Sequence, residues 1–448
     1  MKAALVTDDF AVINSERYAV TPGNSERQET TEWIAGLKQV VPAVVAAVDS
    51  GELDSIAVTS TSGTVIPVDE DGAALTQAVM YNATHSTYEE FSSYDYDDYF
   101  RPTFTLPKIH WLKQTSEQLY RRTHKFLNPT DFVIGYLTGE YNRTDPTNAY
   151  KMGYHPETGW KQAILDDTGI ALDKLPHKVV TNTCIGELRP SLAENWCLSR
   201  LPVYNGTVDS VANFIAATSN SSTKWSASLG SSLSVKGKVP DFPTLNQFYG
   251  YPHPSDGFVL GGHSSVGTQW MIDQYPNQRI GDFLNRIESI DTEHIAYPRA
   301  GSEVLPLERD FIPKFISGTP STQFEAFRSQ LKTLLFFEKW IYELIEERGF
   351  NVSTVSSTGY LSTFENINKL RASILGRDIQ WLDNSYLSTS VGAAAVAKYR
   401  AGELSSLSRF LASDLYKTVT PDNKFEYSER HYEEFKRFFE DDLWHAQQ

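Results

Sequence analysis

Residues 202–239 constrain this chain more than any other stretch. The apolar run Pro202-Val203-Tyr204 meets a turn-forming Asn205-Gly206-Thr207-Val208-Asp209, and a helix-like segment follows with Val211, Phe214 and Ile215 on one face. Trp225 to Leu229 reads as a second strand that breaks at Gly230-Ser231-Ser232 and resumes as Leu233-Ser234-Val235-Lys236, the pattern of a hairpin. Glycine and small hydroxyl residues let backbone N–H groups approach an anion closely, as a phosphate cradle requires. Asp209, where turn gives way to helix, is placed to take a proton from a hydroxyl. Taken singly, Asp209 also suits a helix N-cap and Gly230 a hairpin glycine. Their combination in one unit is more specific.

The flanking sequence has the same alternation. Lys2 to Thr7 and Ala11 to Val20 read as two strands joined at Asp8-Asp9, and Thr30 or Thr31 caps a helix carrying Trp33, Ile34, Leu37 and Val40. Ser55 to Thr59 is a short buried strand leading into Ser60-Thr61-Ser62-Gly63-Thr64. Strand, helix, strand and glycine turn in that order argue for an α/β domain. Further on, a strand from Gly257 to Leu260 enters a glycine turn at Gly261-Gly262, with a helix from Thr268. Phe324 to Glu346 is a long helix ended by Gly349, and Tyr427 to Trp444 sets Tyr432, Phe435, Phe439 and Leu443 on one helical face. Glu89 to Tyr99, a run of Ser, Tyr and acidic residues, reads as solvated and carries no chemistry.

A chain of 448 residues has room for two or three domains. Its net charge of −16 argues against general nucleic-acid binding and against a polybasic membrane surface. Cys184 and Cys197 imply no disulfide framework. The longest apolar stretch, Val40 to Val48, is too short to cross a bilayer, and Asp8 and Asp9 fall where a signal peptide would be apolar, so a cytoplasmic protein is expected. No Gly-x4-Gly-Lys-[Ser/Thr] loop, Gly-x-Gly-x-x-Gly turn or Gly-x-Ser-x-Gly elbow occurs, and the histidines lack metal-ligand spacing.

Gly206-Thr207-Val208-Asp209-Ser210 and Ser228-Leu229-Gly230-Ser231-Ser232 resemble two motifs of the FGGY carbohydrate kinases, the Gly-x-x-Asp turn of the catalytic aspartate and the Ser-Leu-Gly-[Ser/Thr]-[Ser/Thr] phosphate hairpin. Ser62-Gly63-Thr64-Val65, with Asp69 and Gly72, is similar to the Thr-Ser-Gly-Thr-Val stretch of the D-ribulose kinase branch, close to the xylulose kinases. Met80-Tyr81-Asn82 resembles that family's Trp/Tyr-Asn-Asp-x-Arg motif, with Ala83 and His85 in place of its Asp and Arg. Pro107-Lys108-Ile109-His110-Trp111-Leu112 and Thr144-Asp145-Pro146-Thr147-Asn148-Ala149 resemble further family segments, as does Ser390-Val391-Gly392-Ala393-Ala394-Ala395. The family's opening strand, with its Asp-x-Gly-Thr loop, has no counterpart: Met1 to Leu5 resembles the strand after it. Its adenine turn, usually Gly-Gly-Gly, corresponds to Thr358-Gly359-Tyr360-Leu361, with bulky side chains where backbone would approach the base.

The resemblance implies an actin-like (ribonuclease H-like) duplicated α/β fold with an interdomain cleft, its first domain lacking its first strand. Residues 1–201 would be the sugar-binding domain, 202–400 the nucleotide-binding domain and 401–448 a helical tail. It further implies phosphorylation of a ketopentose, D-ribulose or D-xylulose, at a terminal hydroxyl, with ATP and Mg2+ as cofactors. Asp209 would be the base, and Ser62, Gly63 and Asn82 would join it around the sugar. Gly230, Ser231, Ser232, Gly261, Gly262 and Gly359 would hold the nucleotide, with no protein metal site. The competing implication is an inactive relative that binds a sugar or a protein. Without the Asp-x-Gly-Thr loop, residues 1–448 are expected to bind a pentulose weakly and to turn over ATP negligibly.

Overall fold

The structure is a computed structural model that describes residues 1–20, 26–83, 104–220, 224–241, 247–298, 301–311, 314–316, 319–382, 389–425 and 427–440. His85, Glu89 to Tyr99 and Leu443 lie outside the described residues. Contacts divide the chain into two units: Met1–Ala216 with Tyr251–Asp256 and Asn384–Phe410, and Ala217–Gly250 with Gly257–Asp383 and Leu411–Gln448. The sequence reading opened the second domain at Pro202, whereas the chain leaves the first unit after Ala216.

The reason lies in strand pairing. Pro202–Val208 lies parallel to Ile56–Ser60, with Val203 opposite Ile56 and Val208 opposite Ser60. Gly186–Glu187 completes this three-stranded sheet on the far side of Pro202–Val208. The predicted turn at Asn205-Gly206-Thr207 is therefore strand, interrupted by a register shift between Asn205 and Val208. Thr207 takes φ 67°, an unfavourable conformation for a β-branched residue and the signature of local strain. Helix Thr389–Arg400 packs across both long strands. Its small residues permit this: a Cβ on Gly392 would sit 1.8 Å from the Ala212 carbonyl oxygen. The Ser390–Ala395 segment thus belongs to the first unit.

Lys2–Val6 and Val12–Arg17 form the expected pair of strands, antiparallel to each other. Helix Thr30–Val45 starts where expected, but its N-cap is Glu29 and no side chain caps it. Trp33, Leu37, Val40 and Val44 are its buried face. Asp131 to Tyr136 belongs to helix Pro129–Thr138, started by the Asn128 side chain and ended at Gly139 with φ 88°.

The second unit is built on a seven-stranded sheet. Its order is Tyr249–Pro252, Phe258–Ser264, Leu233–Val239, Trp225–Leu229, Thr354–Thr358, Asp378–Leu382, Tyr416–Val419. The predicted hairpin is present, Trp225 opposite Gly237 and Leu229 opposite Leu233. Helix Gln323–Glu346 supplies the core with Phe327, Leu331, Leu334, Leu335 and Ile341. Helix Glu429–Glu440 adds Tyr432, Phe435 and Phe439, leaving its acidic residues on the outer face. Among the described residues, no helix is long and apolar enough to cross a membrane.

Candidate functional site

Asp209 opens helix Asp209–Ala217 directly after the strained Thr207. It is half-buried, at a helix start where the dipole favours a carboxylate. The bulge before it is braced by buried polar groups from three other parts of the first unit. The Asn205 Oδ1 accepts from the Thr207 N–H at 2.9 Å and from the Asn148 amide at 3.1 Å. Asp145 caps its own helix at the Asn148 N–H, 2.9 Å, and takes a second bond from the Asn148 side chain. Arg400 donates to the Asn205 carbonyl at 2.7 Å and to Asp145 Oδ2 at 2.6 Å. Behind them the Asn205 amide donates to Asp131 at 3.3 Å, and burial pushes the Asp131 carboxyl well above the usual carboxylate range. On the opposite side, the Thr59 hydroxyl donates to the Thr207 carbonyl at 2.8 Å.

This bracing explains why Thr144 to Ala149 matters locally, since the segment holds the strand that delivers Asp209. Asn205, Asp131 and Arg400 were not singled out as functional residues. Asn205 could have been, because it occupies the turn just ahead of Asp209. Asp131 and Arg400 carry no local signal; only folding brings them to it.

Ser62 and Gly63 lie in the loop after Ile56–Ser60, with Gly63 at φ 87°. Lys108, fully buried on helix Thr105–Thr115, donates to the Gly63 carbonyl at 2.8 Å and to the Tyr81 carbonyl at 3.2 Å. One side chain therefore ties the Ser62-Gly63 loop to the Tyr81-Asn82 turn, where Asn82 is exposed. Burial, with Lys151 nearby, pulls the Lys108 amine down to about 7. The Ser62 hydroxyl meets the Tyr251 hydroxyl at 2.9 Å, a contact from the short Tyr251–Asp256 return that the sequence did not suggest.

In the second unit, three glycines bring backbone segments together. Gly230 turns the hairpin, and a Cβ there would find its nearest neighbour only at 3.9 Å, so the outer side of the turn is open. Ser231 is exposed and Ser232 half-buried. The Gly230 carbonyl accepts from the Thr268 N–H at 2.7 Å and from its hydroxyl at 2.9 Å. Gly267 must be glycine for this approach, since its Cβ would lie 2.3 Å from the Ser231 carbonyl. Gly359, at φ 87°, backs onto the same turn, its Cβ position 2.6 Å from the Leu229 carbonyl carbon. Gly230, Ser231, Ser232 and Gly359 are thus neighbours, joined by Gly267 and Thr268.

Gly261 and Gly262 are placed differently from expectation. They lie inside strand Phe258–Ser264, opposite Lys236 and Val235. Their missing side chains make room for neighbouring side chains: a Cβ on Gly261 would meet Tyr249 at 2.2 Å and one on Gly262 would meet Leu305 at 2.5 Å and Phe248 at 3.0 Å. The strand-to-helix turn comes later, at Gly267-Thr268. Leu361, expected to crowd a nucleotide base, is buried in the core instead, and only Tyr360 stands exposed, edge-on to Phe364. Among the described residues no group of three His, Cys, Asp or Glu could hold a metal ion.

A model of the N-terminal domain of the FGGY family of carbohydrate kinases matches residues 2–216. A xylulose kinase of Bacillus subtilis is 25% identical over 437 residues, covering 91% of this chain and 87% of that protein. The crystal structure of a xyloylose kinase from Brucella ovis superposes with a TM-score of 0.86 at 19% identity, over 100% of this chain and 97% of that one. The glycerol kinase of Plasmodium falciparum with ADP superposes with a TM-score of 0.83 at 16% identity, over 100% and 96% of the two chains.

Proposed function

Since the chain belongs to the FGGY family of carbohydrate kinases, phosphotransferases of two-domain actin-like fold, we propose that it moves the γ-phosphoryl group of ATP to a terminal hydroxyl of a ketopentose. The observation that carries this reading is Asp209, set at a helix start on a strand whose bulge is braced by Asn148, Asp145 and Arg400. A base must hold its position as the hydroxyl proton moves, and that bracing supplies the rigidity. As the sugar oxygen bonds to phosphorus and the bond to the β-phosphate oxygen breaks, the hydroxyl proton passes to the Asp209 carboxylate and ADP leaves.

Ser62, Gly63 and Asn82 offer the polar groups for the sugar hydroxyls. The open Gly230 turn, with the Ser231 and Ser232 hydroxyls and with Gly359 behind it, suits the phosphates, because donors aimed at developing charge lower the barrier most. Gly261 and Gly262 act through packing. Mg2+ would accompany the nucleotide and neutralise charge on its phosphates. The length of the match to a xylulose kinase favours D-xylulose over D-ribulose.

A coupled ADP-release assay over D-xylulose, D-ribulose, hexoses and glycerol tests the substrate class. Pentuloses should give the highest kcat/KM, D-xylulose first. ADP release with glycerol alone would replace the pentulose reading.

A further inference from the structure

In the second unit a single carboxylate holds the strand-to-helix turn from Ser264 to Thr268. Glu303 ends the short strand Gly301–Glu303 and is only 1% exposed. Its Oε2 accepts from the Ser264 hydroxyl at 2.9 Å, the Ser265 hydroxyl at 3.0 Å and the Tyr297 hydroxyl at 3.0 Å. Its Oε1 accepts from the Ser265 N–H at 2.8 Å and the Val304 N–H at 3.0 Å. Most of these bonds therefore go to Ser264 and Ser265, the first residues of the turn. The turn passes that placement on to the phosphate hairpin. Ser264 Oγ accepts from the Val266 N–H at 3.1 Å, Gly267 lies against Ser231, and Thr268 donates twice to the Gly230 carbonyl.

The N–H groups of Ser265, Val266 and Thr268 thus point at protein oxygens, so this glycine-serine turn supports a neighbouring cradle and is not itself one. Its support depends on charge. Burying a carboxylate is costly, and filling space beside the buried Val266 and Leu305 would need only an apolar side chain. Burial raises the Glu303 carboxyl above its ordinary range, while the N–H groups of Ser265 and Val304 and the hydroxyls of Ser264 and Ser265 act against that rise. In return for the burial, directed charge-assisted bonds fix where the turn sits.

We propose that Glu303 is a positioning residue for nucleotide binding. Through Ser264, Ser265 and Thr268 it sets the place of the Gly230 turn, so that a nucleoside di- or triphosphate meets donors already in position. Glu303 touches no nucleotide atom in this role; it acts through the Thr268 bonds to Gly230. That role rests on the reading of the Gly230 turn as the phosphate site.

The test is calorimetry of the whole protein with Mg·ADP and, separately, with D-xylulose. Glu303→Gln keeps the shape but turns an accepting oxygen into a donor that faces other donors. It should weaken ADP binding about tenfold and leave D-xylulose affinity unchanged. Thr268→Val, which removes the hydroxyl bond to Gly230, should also weaken ADP binding. The double variant should lose less than the product of the two single effects, because both act on one turn. Should Glu303→Gln fail to fold, Ser265→Ala removes one hydroxyl donor to Glu303 and should weaken ADP binding about two- to fivefold. Wild-type ADP affinity in the folded variant overturns the proposal. So does an equal loss of ADP and D-xylulose binding, which marks a general structural role, and so do effects that simply multiply. A wild type that itself binds no ADP would overturn the phosphate reading of the Gly230 turn and this role with it.

Discussion

Lys108 shows what a buried cation can do for a binding loop. Its amine ties the Gly63 and Tyr81 carbonyls, and burial sets it near 7 rather than the ordinary 10.5. The folded value lies below the unfolded one, so the folded state binds fewer protons between about pH 7 and 10. Stability from this group is therefore complete above the unfolded value and is lost as pH falls toward 7. Urea unfolding of the wild type and Lys108→Met across that range should show the wild type gaining on the variant as pH rises. A constant difference would mean that Lys108 keeps an ordinary value. The variant should also raise KM for the sugar, because two carbonyls lose their shared donor. Arg400 makes a second residue-scale case. With Asp145 it forms a buried ion pair, and Arg400→Met leaves that carboxylate uncompensated, at a cost of about 3–5 kcal/mol in unfolding free energy. Chemical denaturation measures it directly; a loss below about 1 kcal/mol would show that the bracing has little energetic weight.

At the scale of elements, the hairpin Trp225–Val239 and the helix Gln323–Glu346 were legible because their signals are local: a glycine-serine break between apolar runs, and apolar residues at helical spacing. The segment before Asp209 was misread as a turn because Asn-Gly-Thr has turn chemistry, and pairing with Ile56–Ser60 overrides it. Gly261 and Gly262 misled for a related reason. Glycine in sequence does not distinguish a cradle for an anion from a gap for Tyr249 and Phe248. Asp131 and Arg400, distant in the chain from Asn205, were beyond any local pattern. Gly359 gives the prediction that belongs here. In Gly359→Ala the new methyl would meet the Leu229 carbonyl carbon at 2.6 Å, in a backbone region that side chains avoid. A strain of about 1–3 kcal/mol should displace the turn and raise KM for ATP by roughly 5- to 150-fold. Calorimetry with the sugar should be unchanged, and an equal loss of sugar binding would count against a local nucleotide role.

For the whole molecule, the sugar-side residues and Asp209 belong to one contact unit, and the Gly230 and Gly359 turns to the other. Variants of the two units should therefore separate, one set changing sugar parameters and the other nucleotide parameters. The shared requirement is Asp209. Single-turnover transfer from γ-labelled ATP to D-xylulose registers even a slow enzyme, and pairing it with D-xylulose calorimetry separates chemistry from binding. The account predicts that Asp209→Asn lowers the transfer rate by about 10²- to 10⁴-fold, the usual weight of a positioned base, with sugar affinity retained. Transfer at the wild-type rate by Asp209→Asn would contradict it.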